Sequence, residues 1–162
     1  MRYKIAFVAM MCSSLFLLVH THPVMAKAGK CLAGNCENGK GTFEYQTGMR
    51  YVGDWRMGKE HGRGLMTLPM GTSYEGEYSN GLPHGKGVYS LPDGRKYIGE
   101  WKNGRPDGYG LEIQPTGAAY EGQWHEGLPH GKGISKKGGE IDKDGYWYKG
   151  EFVGKDKPEQ FQ

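Results

Sequence analysis

The chain has 162 residues, enough for one domain, and carries 29 glycines, 36% hydrophobic residues and a formal net charge of +3. So little apolar material, much of it Tyr and Trp rather than Leu or Ile, excludes a thick aliphatic core and points to a thin structure built on rings. The charge is small and scattered, with Lys136-Lys137 the only run that stands out, so nucleic-acid binding is excluded.

The N-terminus reads separately from the rest. Arg2 and Lys4 precede an apolar run from Ile5 to Val19, and a polar stretch then leads to Val24-Met25-Ala26. These are the three regions of a secretory signal peptide, predicted to span residues 1–26 with cleavage after Ala26. The run is short of the roughly 20 residues a spanning helix needs, although a retained anchor stays open. The expectation is an exported protein, periplasmic, secreted or envelope-associated. Loss of Arg2 and Lys4 lowers the net charge from +3 to +1. Cys12 leaves as well. Cys31 and Cys36 then form an even pair in an oxidising compartment, so a disulfide is predicted within the segment 27–37. Two thiols without partner ligands make a poor zinc site.

From residue 38 onward the chain repeats. Tyr followed two residues later by Gly recurs at Tyr51, Tyr74, Tyr97, Tyr120 and Tyr148, in steps of 23, 23, 23 and 28 residues. Four full units stand between a leading half unit from Asn38 and a closing half unit at Tyr148. Within a unit the first residues alternate: Tyr74, Gly76 and Tyr78 face one way, Glu75 and Glu77 the other. That period of two marks a strand. A glycine-rich turn, a second strand such as Gly87–Leu91, and Pro92-Asp93-Gly94 complete one β-hairpin. Successive hairpins pair side by side, each advancing the sheet by about 10 Å. Gly53, Gly76, Gly99, Gly122 and Gly150 leave gaps between aromatics where a ring from the neighbouring strand can lie, and Gly81, Gly104 and Gly127 suit turns of positive φ.

Tyr-x-Gly-x-Trp/Tyr, then Asn-Gly-x-Pro-His-Gly-x-Gly, then Pro-Asp-Gly, as in Tyr74–Gly94, resembles the MORN (membrane occupation and recognition nexus) repeat. The resemblance covers residues 38–155 and leaves 156–162 as a tail. It implies an all-β fold, an elongated single-layer antiparallel sheet of consecutive hairpins. It also implies scaffolding, protein binding or contact with membrane phospholipid, with no catalysis and no cofactor. Asp107 departs from the pattern at the place held by His61, His84 and His130, and "KKGGEIDKDG" replaces Pro-Asp-Gly in the fourth unit, which reads as a hairpin tip five residues longer. Asp142, Asp144 and Gly145 match only part of a calcium loop.

Candidate sites are few. His61 and His84 stand one unit apart, about 10 Å, too far to share a metal ion. "GLPHGKG" lacks the spacing and the following helix of a phosphate loop. The carboxylates Glu75 and Glu77 read as a solvated face. The remaining feature is a ladder of Tyr51, Trp55, Tyr74, Tyr78, Tyr97, Trp101, Tyr120, Trp124, Tyr148 and Phe152. It is expected to pack as core; the functional alternatives are a protein groove, a lipid-headgroup surface or a sugar-stacking platform. Stacked repeats favour a protein partner, and an open sheet edge leaves homodimer formation as a further expectation.

Overall fold

The computed structural model describes residues 28–159. The predicted signal segment and the last residues of the tail lie outside them. Among the described residues twelve strands follow in order: β1 (Gly29–Gly34), β2 (Gly39–Tyr45), β3 (Arg50–Arg56), β4 (Lys59–Thr67), β5 (Ser73–Ser79), β6 (Leu82–Ser90), β7 (Lys96–Lys102), β8 (Arg105–Ile113), β9 (Ala119–His125), β10 (Leu128–Lys137), β11 (Glu140–Tyr148) and β12 (Glu151–Gly154). They make one 12-stranded sheet whose spatial order is the chain order. Every neighbour is antiparallel, so the protein is an elongated single layer of stacked hairpins.

Two turn types alternate along the margins. On one margin Asn80-Gly81 and Asn103-Gly104 have φ of 53° and 87°, and 52° and 82°. Two successive residues of positive φ make the tight hairpin turn whose twist matches the flanking strands. On the other margin Gly94, at φ 91°, ends a three-residue loop in which the Arg95 carbonyl accepts from Leu91 N–H at 2.9 Å. The tight turns are also joined from unit to unit: Gly81, Gly104, Gly127 and Gly150 N–H donate to the carbonyls of Glu60, Pro83, Pro106 and Pro129.

These bonds correct the predicted closing half unit. Lys149-Gly150, at φ 50° and 87°, is a tight turn equivalent to Asn103-Gly104 and Glu126-Gly127, not the opening of a strand. The period therefore stays at 23 residues: Trp147 follows Trp124 and Trp101, and Lys143 stands where Tyr120 stands. The fourth unit has no insertion. It closes on a two-residue turn, Gly138-Gly139, instead of a three-residue loop.

The core lies along one face. Gly41, Gly53, Gly64, Gly76, Gly87, Gly99, Gly110, Gly122, Gly133 and Gly145 pair in unbroken register from β2 to β11. This row is a furrow floored by backbone, and rings fill it from both sides. The Tyr51 hydroxyl donates to the Asp54 carbonyl at 3.1 Å, and Tyr74, Tyr97 and Tyr120 repeat the bond to Glu77, Glu100 and Gln123 at the same distance. The indole N–H groups of Trp55, Trp101 and Trp124 donate to the carbonyls of Gly41, Gly87 and Gly110. Each Tyr meets its own Trp or Tyr and that of the next unit edge to face, as Tyr97 does with Trp101 at 5.2 Å and Trp124 at 5.1 Å. A side chain at a furrow glycine would strike this arrangement: a Cβ on Gly99 would stand 2.5 Å from Gly110 Cα and 2.6 Å from the Tyr97 hydroxyl, and one on Gly110 would enter the Tyr97 ring. The ring over the furrow does come from the neighbouring strand for the second glycine of each pair. For the first glycine it is the motif's own tyrosine.

Candidate binding face

Tyr51, Trp55, Tyr74, Tyr78, Tyr97, Trp101, Tyr120 and Trp124 are each at most 6% exposed, so they are core and present no surface to a ligand. Tyr148 and Phe152 are half-buried. The ladder ends on Trp147, which packs on Tyr120 at 5.0 Å and on Phe152 at 5.5 Å; Tyr148 leaves it and packs on His130 at 5.2 Å. Phe43, Tyr89 and Trp147 join the core without having been predicted, although each lies at an aromatic-face position of the strand alternation. Gly53, Gly76, Gly99 and Gly122 lie in the furrow, whereas Gly150 lies in a turn.

Cys31 and Cys36 are disulfide-bonded. The bridge spans the turn from β1 to β2, with Cys36 buried and Cys31 exposed. Among the described residues no group of three or more His, Cys, Asp or Glu is placed to hold a metal ion. Asp107 pairs instead with His125 at 3.1 Å and accepts the Glu126 N–H. His130 packs on the His125 ring at 5.5 Å, and burial, helped by His125 and Lys149, holds its pKa below the ordinary range.

The opposite face is built from the residues between the aromatics. Strand alternation turns Val52, Leu65, Glu75, Val88, Ile98, Leu111, Glu121 and Ile134 away from the rings. Cross-strand register sets them in a line from β3 to β10. The result is an apolar stripe crossing the strands, with Val52, Leu65 and Ile98 about two-fifths exposed at 37%, 38% and 41%. A groove of about 850 Å³ follows it from Val52 to Tyr109.

Beside the stripe runs a polar row with its own structural work. In each unit the second strand carries a bulge just before its furrow glycine. Arg63, Lys86, Tyr109 and Lys132 lose their backbone partner there and donate N–H instead to the side chains of Asp54, Glu77, Glu100 and Gln123, at 2.8–3.1 Å. The fourth residue of the motif is therefore an acceptor, a role the alternation alone did not reveal. Register also sets Lys40 opposite Asp54, Arg63 opposite Glu77 and Lys86 opposite Glu100. The groove is thus close to charge-balanced. Tyr109, 55% exposed, donates to Glu121 at 3.3 Å.

The sheet's C-terminal margin is less inviting. β12 pairs only with Tyr146–Tyr148 of β11. The rest of that edge carries Asp142, Lys143 and Asp144, and charges of this kind discourage strand-to-strand association.

No curated protein matches the chain. The MORN repeat profile matches residues 37–50, 51–73, 74–94, 97–119 and 120–137, more than half of the sequence and every complete hairpin unit between β2 and β10. The chain belongs to the MORN repeat family.

Proposed function

We propose that the protein is an exported, non-enzymatic MORN-repeat scaffold that binds a protein partner at the cell envelope through the face opposite its aromatic ladder. The observation that carries this reading is the division of labour between the faces. The ladder rings from Tyr51 to Trp124 are buried in the furrow, yet the other side keeps an exposed apolar stripe that packing within the sheet does not require. Exposed apolar rows rimmed by polar residues mark interaction sites. The alternative, binding of membrane phospholipid, needs a basic surface. Arg63 and Lys86 in the groove are outnumbered by Glu75, Glu77 and Glu100, which favours protein over anionic headgroups.

The test is site-directed photo-crosslinking in the native envelope. Leu111→p-benzoylphenylalanine, on the stripe, should give a discrete crosslinked protein that disappears when Ile98→Asp is added. Met70→p-benzoylphenylalanine, on a loop tip 93% exposed, should give none. Equal yields at both sites would sink the reading. Flotation with phosphatidylglycerol vesicles is the parallel arm, and vesicle binding lost on Ile98→Asp would favour the lipid reading. Export rests on residues 1–26, and N-terminal sequencing of the envelope protein should begin at Lys27.

A further inference from the structure

Within the groove one residue is out of keeping with its neighbours. Glu75 stands in the apolar stripe, with Leu65 and then Val52 on one side and Val88 and then Ile98 on the other. It is exposed and makes no hydrogen bond or ion pair with any described residue. The acids beside it differ: Glu77 and Glu100 each accept a backbone N–H and face a lysine or arginine across the register. The other acid of the stripe, Glu121, is taken by the Tyr109 hydroxyl. A single unmatched carboxylate is thus centred in an apolar floor.

The spacing along this floor sets the shape of the occupant. Neighbouring strands are about 4.8 Å apart, so the stripe offers one side chain every 4.8 Å at right angles to the strands. A helix laid along it presents one side chain per turn, about every 5.4 Å. An extended segment presents one about every 6.7 Å and falls out of step by the second contact. Extended segments find their natural place at a sheet edge, not across a face. From Val52 on β3 to Tyr109 on β8 the groove crosses five strand spacings, roughly 24 Å, the length of about 16 helical residues.

We infer that the groove takes one amphipathic helix of a partner protein, laid across the strands, whose apolar stripe is interrupted at its middle by a single Lys or Arg that meets Glu75. This rests on the protein-binding reading of the same face. Apolar contacts at the turns before and after the cation supply affinity. The Glu75 pair supplies register, because sliding the helix by one turn sets the cation against Leu65 or Val88 and leaves two charges unmatched.

The test uses synthetic helices of about 18 residues on an Ala/Gln host, with Leu, Leu, Lys, Leu and Leu at successive turns of one face, read by fluorescence anisotropy. A second peptide carries Glu in place of the Lys, and a third has a central Pro. The wild-type protein should bind the Lys peptide roughly tenfold or more tightly than the Glu peptide, the scale of one desolvated charge pair. Glu75→Lys should reverse the preference, and Ile98→Asp should remove binding of both while thermal unfolding shows the sheet intact. The inference is overturned if the two peptides bind the wild type equally, if Glu75→Lys does not reverse the order, if the Pro peptide binds as well as the Lys helix, or if no peptide binds. If it fails while Leu111 still crosslinks a protein in an Ile98-dependent way, the protein-binding face survives and only its helical, basic occupant is lost.

Discussion

Each furrow glycine is set by what lies above it. At Gly110 an added methyl would enter the Tyr97 ring, and at Gly99 it would meet backbone as well as the hydroxyl. Overpacking costs about 1–3 kcal/mol, and no flexible side-chain end is available here to yield. Gly110→Ala and Gly99→Val should therefore both destabilise the sheet by about 1–3 kcal/mol, read as a lower urea midpoint. A midpoint unchanged for Gly110→Ala would mean that the ring does not lie in the furrow. Glu100, whose carboxylate accepts the Tyr109 N–H at 3.1 Å, gives a finer contrast. Gln123 performs the same task in the next unit, so Glu100→Gln should stay within about 0.5 kcal/mol of wild type. Glu100→Leu has no acceptor and should cost about 0.5–1.5 kcal/mol. Equal midpoints for the two variants would show that the bulge does not need the side chain. The tight turns offer a gain rather than a loss. Met57 sits at φ 49° and 70% exposed, where Asn80 and Asn103 stand in later units. Asn tolerates this left-handed region better than Met, and the Met57 N–H bond to Asn38 Oδ1 is backbone and survives the change. Met57→Asn should raise stability by about 0.5–1 kcal/mol, read from the same unfolding curves, and a loss would show that the Met side chain packs.

Strands in this protein are held less by their own sequence than by the rings that bridge them, and that makes the fold sensitive to alkali. Burial raises the pKa of Tyr51, Tyr74, Tyr97 and Tyr120, with Asp54, Glu77 and Glu100 adding to it for the first three; Tyr78 is raised by burial and by its tyrosine neighbours. Below about pH 10 these hydroxyls are neutral both folded and unfolded, and the full stability is present. Above it the unfolded chain releases protons that the folded sheet retains, so stability falls by about 1.4 kcal/mol per pH unit for each tyrosine. Five acting together lose about 7 kcal/mol per pH unit and exhaust a margin of about 5–15 kcal/mol within about one to two pH units. Ionisation followed by ultraviolet absorbance should coincide with loss of the strand circular dichroism in a single transition above pH 10. Gradual ionisation near pH 10 with the sheet retained would contradict the burial of the ladder. The strands and most of this ladder are legible in the sequence because Tyr-x-Gly-x-aromatic carries both the alternation and the period. The stripe on the other face is not. Val52, Glu75 and Ile98 stand at one motif position and Leu65 and Val88 at another, with no residue type kept from one unit to the next, and only the cross-strand register lines them up. The acceptor role of Asp54, Glu77, Glu100 and Gln123 was hidden in the same way, since it depends on a bulge in the partner strand.

Because each hairpin touches only its neighbours, the molecule is a one-dimensional array whose weakest part is its end. At the N-terminal end the Cys31–Cys36 bridge ties β1 down. At the C-terminal end the sequence offers two registers, and letters alone do not choose between them. "YKGEF" spells the motif, but Tyr-x-Gly occurs here as a half-buried residue followed by a turn. The interlocking bond from Gly150 N–H to the Pro129 carbonyl sets the 23-residue step instead. In that register Trp147 is the terminal ring of the ladder, 4% exposed, and Lys143 occupies a tyrosine position with its ammonium 5.8 Å from the Trp147 ring. Three substitutions separate the registers. Trp147→Ala should cost about 3–5 kcal/mol locally and release β11 and β12 to rapid amide exchange. Tyr148→Ala, which removes a half-buried ring lying against His130, should cost about 1 kcal/mol or less. Lys143→Tyr restores the missing ring beside Trp147, and burying it should slow exchange in β11 and add about 1 kcal/mol. If Lys143→Tyr leaves exchange in β11 unchanged while Tyr148→Ala is as damaging as Trp147→Ala, the closing unit begins at Tyr148 after all, and the array ends on a different ring from the one that now caps it.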